Sequence, residues 1–509
     1  MTAPQLDPTR IRIESHLERP WDHEESFQDI MAEQLRHAPW LAVSIVVHLI
    51  AGLILWQIPA TQRHPQKAKV LQAAQQEPEE IVDDEEDEKD EVVQEEVEPE
   101  PVLQDSEVTE MSETDDEVVS EEENQDSAFE NDAFNDIVGL GGGAGGKYGG
   151  RGHGRRGLGR KGGRPTAEAI GLGLEWLKAH QDESGMWSTD QFMKHCPAND
   201  LCDGYGNAMN DIGITGLALL AFLGDGSTMR SGPYKDVVKK GIIWLKDQQD
   251  DAGLLGVESG RAYIYNHAIA SLAMVEAFGL SKYRTLRRYA QGCVNYIQKS
   301  RNTYKVWRYY PHDGDNDTSV TGWMVFVLNS AKTFHLKVDD NAFKYAAAWF
   351  DEVTEPSTGQ CGYTKRGQGS SRELGLEEKF PSDRTEAMTA VGLLCRIFMH
   401  QTPQDHPVLN AAADTMLKKP PVWDEANGSI DMYYWYYGSY AMFQMGKRYW
   451  EGWRHALEKA LIKTQRKDGH AKGSWDPIGA WGHEGGRVYS TAIGVLCLEV
   501  YYRYTRLIR

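Results

Sequence analysis

Residues 169–187, AIGLGLEWLKAHQDESGMW, and residues 211–224, DIGITGLALLAFLG, decide the fold. The first is an amphipathic run at helical period that ends in a turn; the second is apolar on almost every face. The pairing then recurs from Pro165 to the C-terminus. VVKKGIIWLKDQQDDAGLLG (237–256) and ALEKALIKTQRKDGHAKGSW (456–475) repeat the first kind, with weaker copies in RRYAQGCVNYIQKS, NAFKYAAAWFDEV and HPVLNAAADTMLKK. Apolar runs begin at His267, Asp317, Thr385, Tyr433 and Tyr489. No segment reads as a run of strands. The pattern predicts an all-α domain over 165–509, about six helical hairpins in a closed ring with the apolar helices inside.

The net charge of −22 does not belong to that domain. Residues 71–136 hold 29 Asp and Glu against a single Lys, so the rest of the chain sums to about +6. With few aromatics and strong self-repulsion, residues 61–138 read as an acidic disordered linker. Residues 139–164 follow as a flexible basic segment, with 14 glycines between Gly139 and Gly163 and seven Lys and Arg between Lys147 and Arg164. It reads as a swivel beside the acidic run, the alternative being a site for an anionic polymer or lipid headgroups, and no specific nucleic-acid partner is expected. No cofactor is expected either: no glycine-rich phosphate cradle stands between a strand and a helix, and no spacing defends a nucleophilic triad.

WLAVSIVVHLIAGLILWQI, Trp40 to Ile58, is 19 residues without a formal charge. As a helix it spans about 28 Å, enough to cross a bilayer core. The expectation is a short cytoplasmic arm (1–38) and one transmembrane helix (39–60) in a bacterial inner membrane. Ser44 and His48 lie one turn apart on the same face of that helix. The Ser-x-x-x-His span resembles the anchor of TonB, which implies that these two residues face a proton-driven inner-membrane motor. Arg63, Lys67 and Lys69 after the span outnumber Arg36 before it, which favours a cytoplasmic C-terminus. The resemblance implies the opposite, a periplasmic C-terminal domain. That orientation is adopted, because long translocated regions follow the charge count poorly.

Within the repeat, QDESGMW sets Gln181, Gly185 and Trp187 in the order Gln-x-x-x-Gly-x-Trp. Degenerate copies stand at Gln249 and Gly253, and at Gln465 and Gly469 with Trp475 displaced. A glycine can end a helix in the left-handed conformation, a glutamine amide can bond turn groups, and a tryptophan can cover the junction. The motif resembles that of the squalene-type cyclases. The likeness, over about 345 residues, implies an α/α toroid of the terpenoid cyclase and protein prenyltransferase type, without the second helical domain such cyclases carry.

DGDNDTSVTGW (313–323) carries Asp313, Asp315 and Asp317 ahead of an apolar run. The resemblance implies an acid for alkene protonation here. An alignment on Asp317-Thr318 puts Asn316 at the donor, whereas a one-residue slide puts Asp315 there. A calcium loop shares the alternation but lacks its glycine and its twelfth-position acid. A third reading makes Asp317 or Thr318 the N-cap of the following helix. All three remain open on sequence.

DMYYWYYGSYAMF (431–443) places Tyr433, Tyr434 and Tyr437 on an inner helix which, with Trp323, is expected to line a central cavity. Protein prenyltransferases imply a zinc site, here matched by Asp200, Cys202 and His267 in order. A Cys196–Cys202 disulfide is the simpler expectation in an exported domain. The sequence thus predicts an envelope-anchored toroid that binds a hydrophobic or glycan ligand and couples to a membrane motor. The opposing class is a squalene-type cyclase, or a related isoprenoid-modifying enzyme, acting through Asp313, Asp315 and Asp317.

Overall fold

A computed structural model describes residues 163–503. The arm 1–38, the span 39–60 with Ser44 and His48, the acidic linker and nearly all of the glycine-rich segment lie outside the described residues. Among the described residues no helix is long and apolar enough to cross a membrane.

Helices alternate between two environments. Six are inner: α2 (Asp211–Gly224), α4 (Tyr263–Ser281), α6 (Thr318–Thr333), α8 (Ala387–Phe398), α10 (Met432–Met445) and α12 (Gly482–Leu498). Each packs on the next, and α12 packs back on α2, which closes the ring. Six are outer: α1 (Arg164–Ala179), α3 (Lys235–Asp247), α5 (Arg287–Ser300), α7 (Asp340–Val353), α9 (Val408–Leu417) and α11 (Lys447–Ile462). Each outer helix sits against two inner neighbours. A short α13 (Val500–Arg503) ends the described chain. The described residues therefore form an α/α toroid of six hairpins. They contain no named strand, only two isolated bridges, Gln249 with Leu255 and Thr354 with Cys361.

The hydrophobic pattern accounts for the sorting. Every residue of α10 is buried, whereas α5 buries a stripe of Ala290, Cys293, Val294 and Ile297 and leaves its other face to solvent. Close approach of inner helices needs small residues: a Cβ on Gly216 would stand 2.6 Å from the Ala270 Cα.

The glutamine–glycine motif ties three of the outer helices, α1, α3 and α11, to the loops that follow them. Gln181 Nε2 donates to the carbonyls of Gly185 (2.8 Å) and Val237 (3.0 Å). Trp187 Nε1 donates to Leu177 O at 2.7 Å, and its backbone N–H donates to Thr215 Oγ1 on α2. Gln249 repeats the pattern with Gly253 O and Tyr289 O. In the last copy the structure corrects the register. Gln465 Nε2 donates to Gly473 O and Ala169 O, so Gly473 and not Gly469 takes the motif position, two residues before Trp475 as Gly185 is two before Trp187.

Connections from outer to inner helices are long (180–210, 248–262, 301–317, 354–386, 418–431, 463–481), while the return connections are short, down to the single Gly446. All the long loops therefore gather at one end of the ring, around the N-termini of the inner helices.

Candidate functional site

A cavity of about 720 Å³ opens among those long loops. All six inner helices contribute their first turns to it, so their partial positive N-terminal charges converge on the opening. Deeper along the helices the lining is apolar, with Leu217, Ile269, Trp323 and Ile493; nearer the mouth stand Asn210, Arg372, Glu373 and Glu484. Between these zones lie Tyr265, Tyr309, Tyr363, Tyr433, Trp481 and Tyr489. Tyr433 shares a hydrogen bond with Ser319 at 2.9 Å, and Tyr309 with Tyr363 at 2.5 Å. The Tyr489 hydroxyl and the Trp481 Nε1 are buried with no hydrogen-bond partner in the protein.

Asp317 is completely buried at the start of α6. Its Oδ1 accepts from Val320 N at 2.7 Å, the N-cap bond. Its Oδ2 accepts from Tyr363 Oη at 3.3 Å and lies 3.7 Å from Arg308 Nε. Burial nevertheless dominates and pushes its carboxyl up to about 7, against the cap bond and Arg308. Tyr363, which covers Asp317, in turn shares its hydroxyl hydrogen bond with Tyr309 on the cavity wall.

At the mouth, Glu484 accepts from Asn210 Nδ2 at 2.5 Å and from Asn207 Nδ2 at 3.3 Å. His483 bonds Glu373, and the three groups lie within 4.8 Å of one another. Burial, then the neighbouring Glu373 carboxylate, raises the proton affinity of Glu484. The loop that carries Glu373 is anchored by a buried pair, Arg372 Nη2 to Asp431 Oδ2 at 3.0 Å. Asp431 also caps α10 through Tyr434 N.

The three aspartates predicted to act together do not converge. Asp313 and Asp315 are exposed turn residues. Asp313 Oδ1 accepts from Asp315 N at 3.0 Å, and Asp315 pairs with Arg308 on the surface. Only Asp317 is buried, so Asp313 and Asp315 do not join it in one acid site. Of the expected lining residues, Trp323 and Tyr433 face the cavity. Tyr434 turns outward, its hydroxyl donating to Lys419 O at 2.9 Å. Tyr437 packs edge-on against Trp323 at 5.3 Å between ring centroids.

The Asp200–Cys202–His267 set is not assembled. His267 Nδ1 accepts from Leu255 N at 3.0 Å inside α4, the bond that Thr215 Oγ1 makes to Trp187 N on α2. Burial pushes this histidine down to about 3, so it is a neutral anchor of the repeat. Cys196 and Cys202 carry free thiols and are not a disulfide. They face His180 and His470, two residues the sequence reading passed over. Glu373 was also missed, because its loop follows no motif.

No protein-family model matches the chain, and no curated protein matches it. Solved structures share its helical architecture at low identity. An α-1,6-mannanase from Salegentibacter sp. HEL1_6 aligns with a TM-score of 0.46 at 9% identity, covering 66% of this chain and 98% of its own. An unsaturated glucuronyl hydrolase from Bacillus sp. GL1 aligns at 0.46 and 12%, covering 66% and 96%. A type II terpene cyclase from Scytonema, in complex with merosterolic acid A, aligns at 0.42 and 14%, covering 67% and 97%.

Proposed function

We propose that the toroid binds a glycan in the cavity at the N-terminal ends of its inner helices. One observation carries the reading: the aromatic lining consists of five tyrosines and two tryptophans, with no phenylalanine. Each ring offers an apolar face to the C–H surface of a sugar and a polar atom to its hydroxyls. A cavity shaped for hydrocarbon alone gains nothing from those hydroxyls and must satisfy each one on burial. Tyr489 Oη and Trp481 Nε1, buried without protein partners, are where ligand hydroxyls would be received. Asn210, Arg372, Glu373 and Glu484 at the mouth extend the same polar recognition.

A second reading has its own observation. The proton held by Asp317 to about pH 7 is the form an acid needs for alkene protonation. Asp317 is not among the lining residues, so it would act through Tyr363. That is the form in which isoprenoid chemistry remains a proposal. From the sequence we further propose that residues 39–60 anchor the chain in a bacterial inner membrane, with the toroid periplasmic and Ser44 and His48 turned towards a proton-driven motor. Reporter fusions after residues 38 and 164 test the orientation; a cytoplasmic signal from the second rejects it.

The binding test titrates the full chain, solubilised in detergent, with neutral and acidic oligosaccharides while following tryptophan fluorescence, and examines the sugars afterwards by mass spectrometry. We expect saturable quenching, weakened roughly tenfold by Tyr489→Phe, as loss of one buried hydrogen bond worth about 1 kcal/mol or somewhat more would give. Absence of any oligosaccharide binding, together with saturable binding of a polyprenyl lipid, would reject the glycan reading in favour of the second. Cleaved or isomerised sugar would extend it to turnover, with Glu373 and Glu484 as the acid–base pair to examine.

A further inference from the structure

We infer that His180, Cys196, Cys202 and His470 bind one zinc ion, which fastens the first hairpin of the ring to the last. The site is outside the cavity described above and does not depend on its ligand. Nε2 of His180 stands 3.4 Å from Cys196 Sγ and 3.8 Å from Cys202 Sγ, and Nδ1 of His470 stands 3.7 Å from Cys202 Sγ. All four ligand atoms lie within 4.8 Å of one another. A tetrahedral zinc with Zn–S near 2.3 Å and Zn–N near 2.0–2.1 Å has S···N edges of about 3.6 Å, so the observed separations need only small adjustment to receive the ion.

The surroundings orient the ligands. His180 Nδ1 lies 2.7 Å from Trp176 O, so the proton sits on Nδ1 and the Nε2 lone pair points at the sulfurs. A backbone carbonyl on the non-ligating nitrogen is the usual way a zinc-bound imidazole is held. Trp176 stacks on the same ring at 4.0 Å between centroids. Asp200 Oδ2 accepts from the His470 backbone N–H at 2.6 Å and fixes the second loop against the first. His180 and Cys202 are buried, while Cys196 and His470 are partly open, which leaves an entry path.

The four donors come from opposite ends of the domain, three from one loop and one from another. His180, Cys196 and Cys202 belong to the loop between α1 and α2, and His470 to the loop between α11 and α12. The ring closes between these two hairpins, where α1 packs on α11 and α12. Two thiolates and two neutral imidazoles form a donor set of zero net charge with divalent zinc, and they are soft enough to select zinc over magnesium or calcium. An ion held there closes the seam covalently in all but name.

The test is metal analysis of the full chain, purified in detergent without chelator from zinc-supplemented cells. We expect close to stoichiometric zinc, lost to background in Cys196→Ser and His470→Ala. Two measurements on the unmutated chain guard against variants that fail to fold. Cobalt replacing zinc should give a thiolate-to-metal charge-transfer band and intense tetrahedral bands in the visible. Peptide mapping after alkylation should show Cys196 protected until a chelator is added. The inference is overturned by substoichiometric zinc with Cys196 alkylated equally with and without chelator, by a Cys196–Cys202 disulfide in the native chain, or by full zinc retained in both variants.

Discussion

Asp317 is pulled in two directions. Its cap bond to Val320 N and nearby Arg308 favour the carboxylate; burial favours the acid and wins, lifting it to about 7 from an ordinary value of 3.8. A carboxyl raised on folding binds its proton more tightly in the native state. Its contribution to stability is therefore greatest below pH 4 and is lost as pH rises from there to 7. Asn is as good an N-cap as Asp and has no charge to bury. We expect Asp317→Asn to match the wild type near pH 4 and to exceed it by about 1–3 kcal/mol at pH 8. Denaturant midpoints across that range read the difference, and parallel pH profiles would refute the assignment. An N-cap at Asp317 or Thr318 was one of three readings the sequence left open; the structure makes Asp317 the cap of α6, as Asp431 is of α10. Which aspartate is buried was not legible. Asp317 is covered by Tyr363, supplied by the next long loop, whereas nothing in the local spacing separates it from Asp315.

At the scale of elements, the alternation of amphipathic and apolar runs was enough to predict six hairpins, since period and burial are local properties. The loops were harder. Gln181 reaches a glycine four residues on, whereas Gln465 reaches one eight residues on, because the turn between glutamine and glycine is four residues longer in the last loop and includes His470. A spacing rule therefore selects Gly469 in error. The two glycines give a sharp test. Gly473 has φ +93°, and a Cβ there would stand 2.3 Å from Leu172 O, a backbone atom of α1 that cannot retreat. Gly469 has φ +62°, and its Cβ would meet only the Asp200 carboxylate at 3.2 Å, a side chain that can turn. Both alanines incur the left-handed cost of about 1–2 kcal/mol, but only Gly473→Ala adds displacement of a helix. We expect Gly473→Ala to lower unfolding stability by at least about 2 kcal/mol more than Gly469→Ala. Equal losses would restore Gly469 to the motif.

A ring has a seam, and this one is held at its far end as well. Beyond the C-terminal end of α12, opposite the cavity, Arg503 is fully buried and bonded to Glu276 of α4 at 3.1 Å and to Glu499 at 3.2 Å. It also donates to the Leu220 carbonyl on α2. The last helix is thereby tied to the first and second inner helices through one guanidinium and two carboxylates with no measurable exposure. No sequence pattern announces this, since the partners lie 227 and 283 positions away. Gly224 makes room: a Cβ there would fall inside contact distance of the Glu499 carboxylate and the guanidinium. Removing the cation leaves two buried carboxylates facing each other, a change that typically costs about 3–5 kcal/mol. Arg503→Met is therefore expected to lower the unfolding free energy of the full chain by that amount near pH 8. The loss should shrink in acid, where the two carboxyls can take up protons and end their repulsion. Chemical denaturation at pH 5 and pH 8 measures both effects. A loss below about 1 kcal/mol at pH 8 would mean that the seam is closed by the packing of α12 on α2 alone.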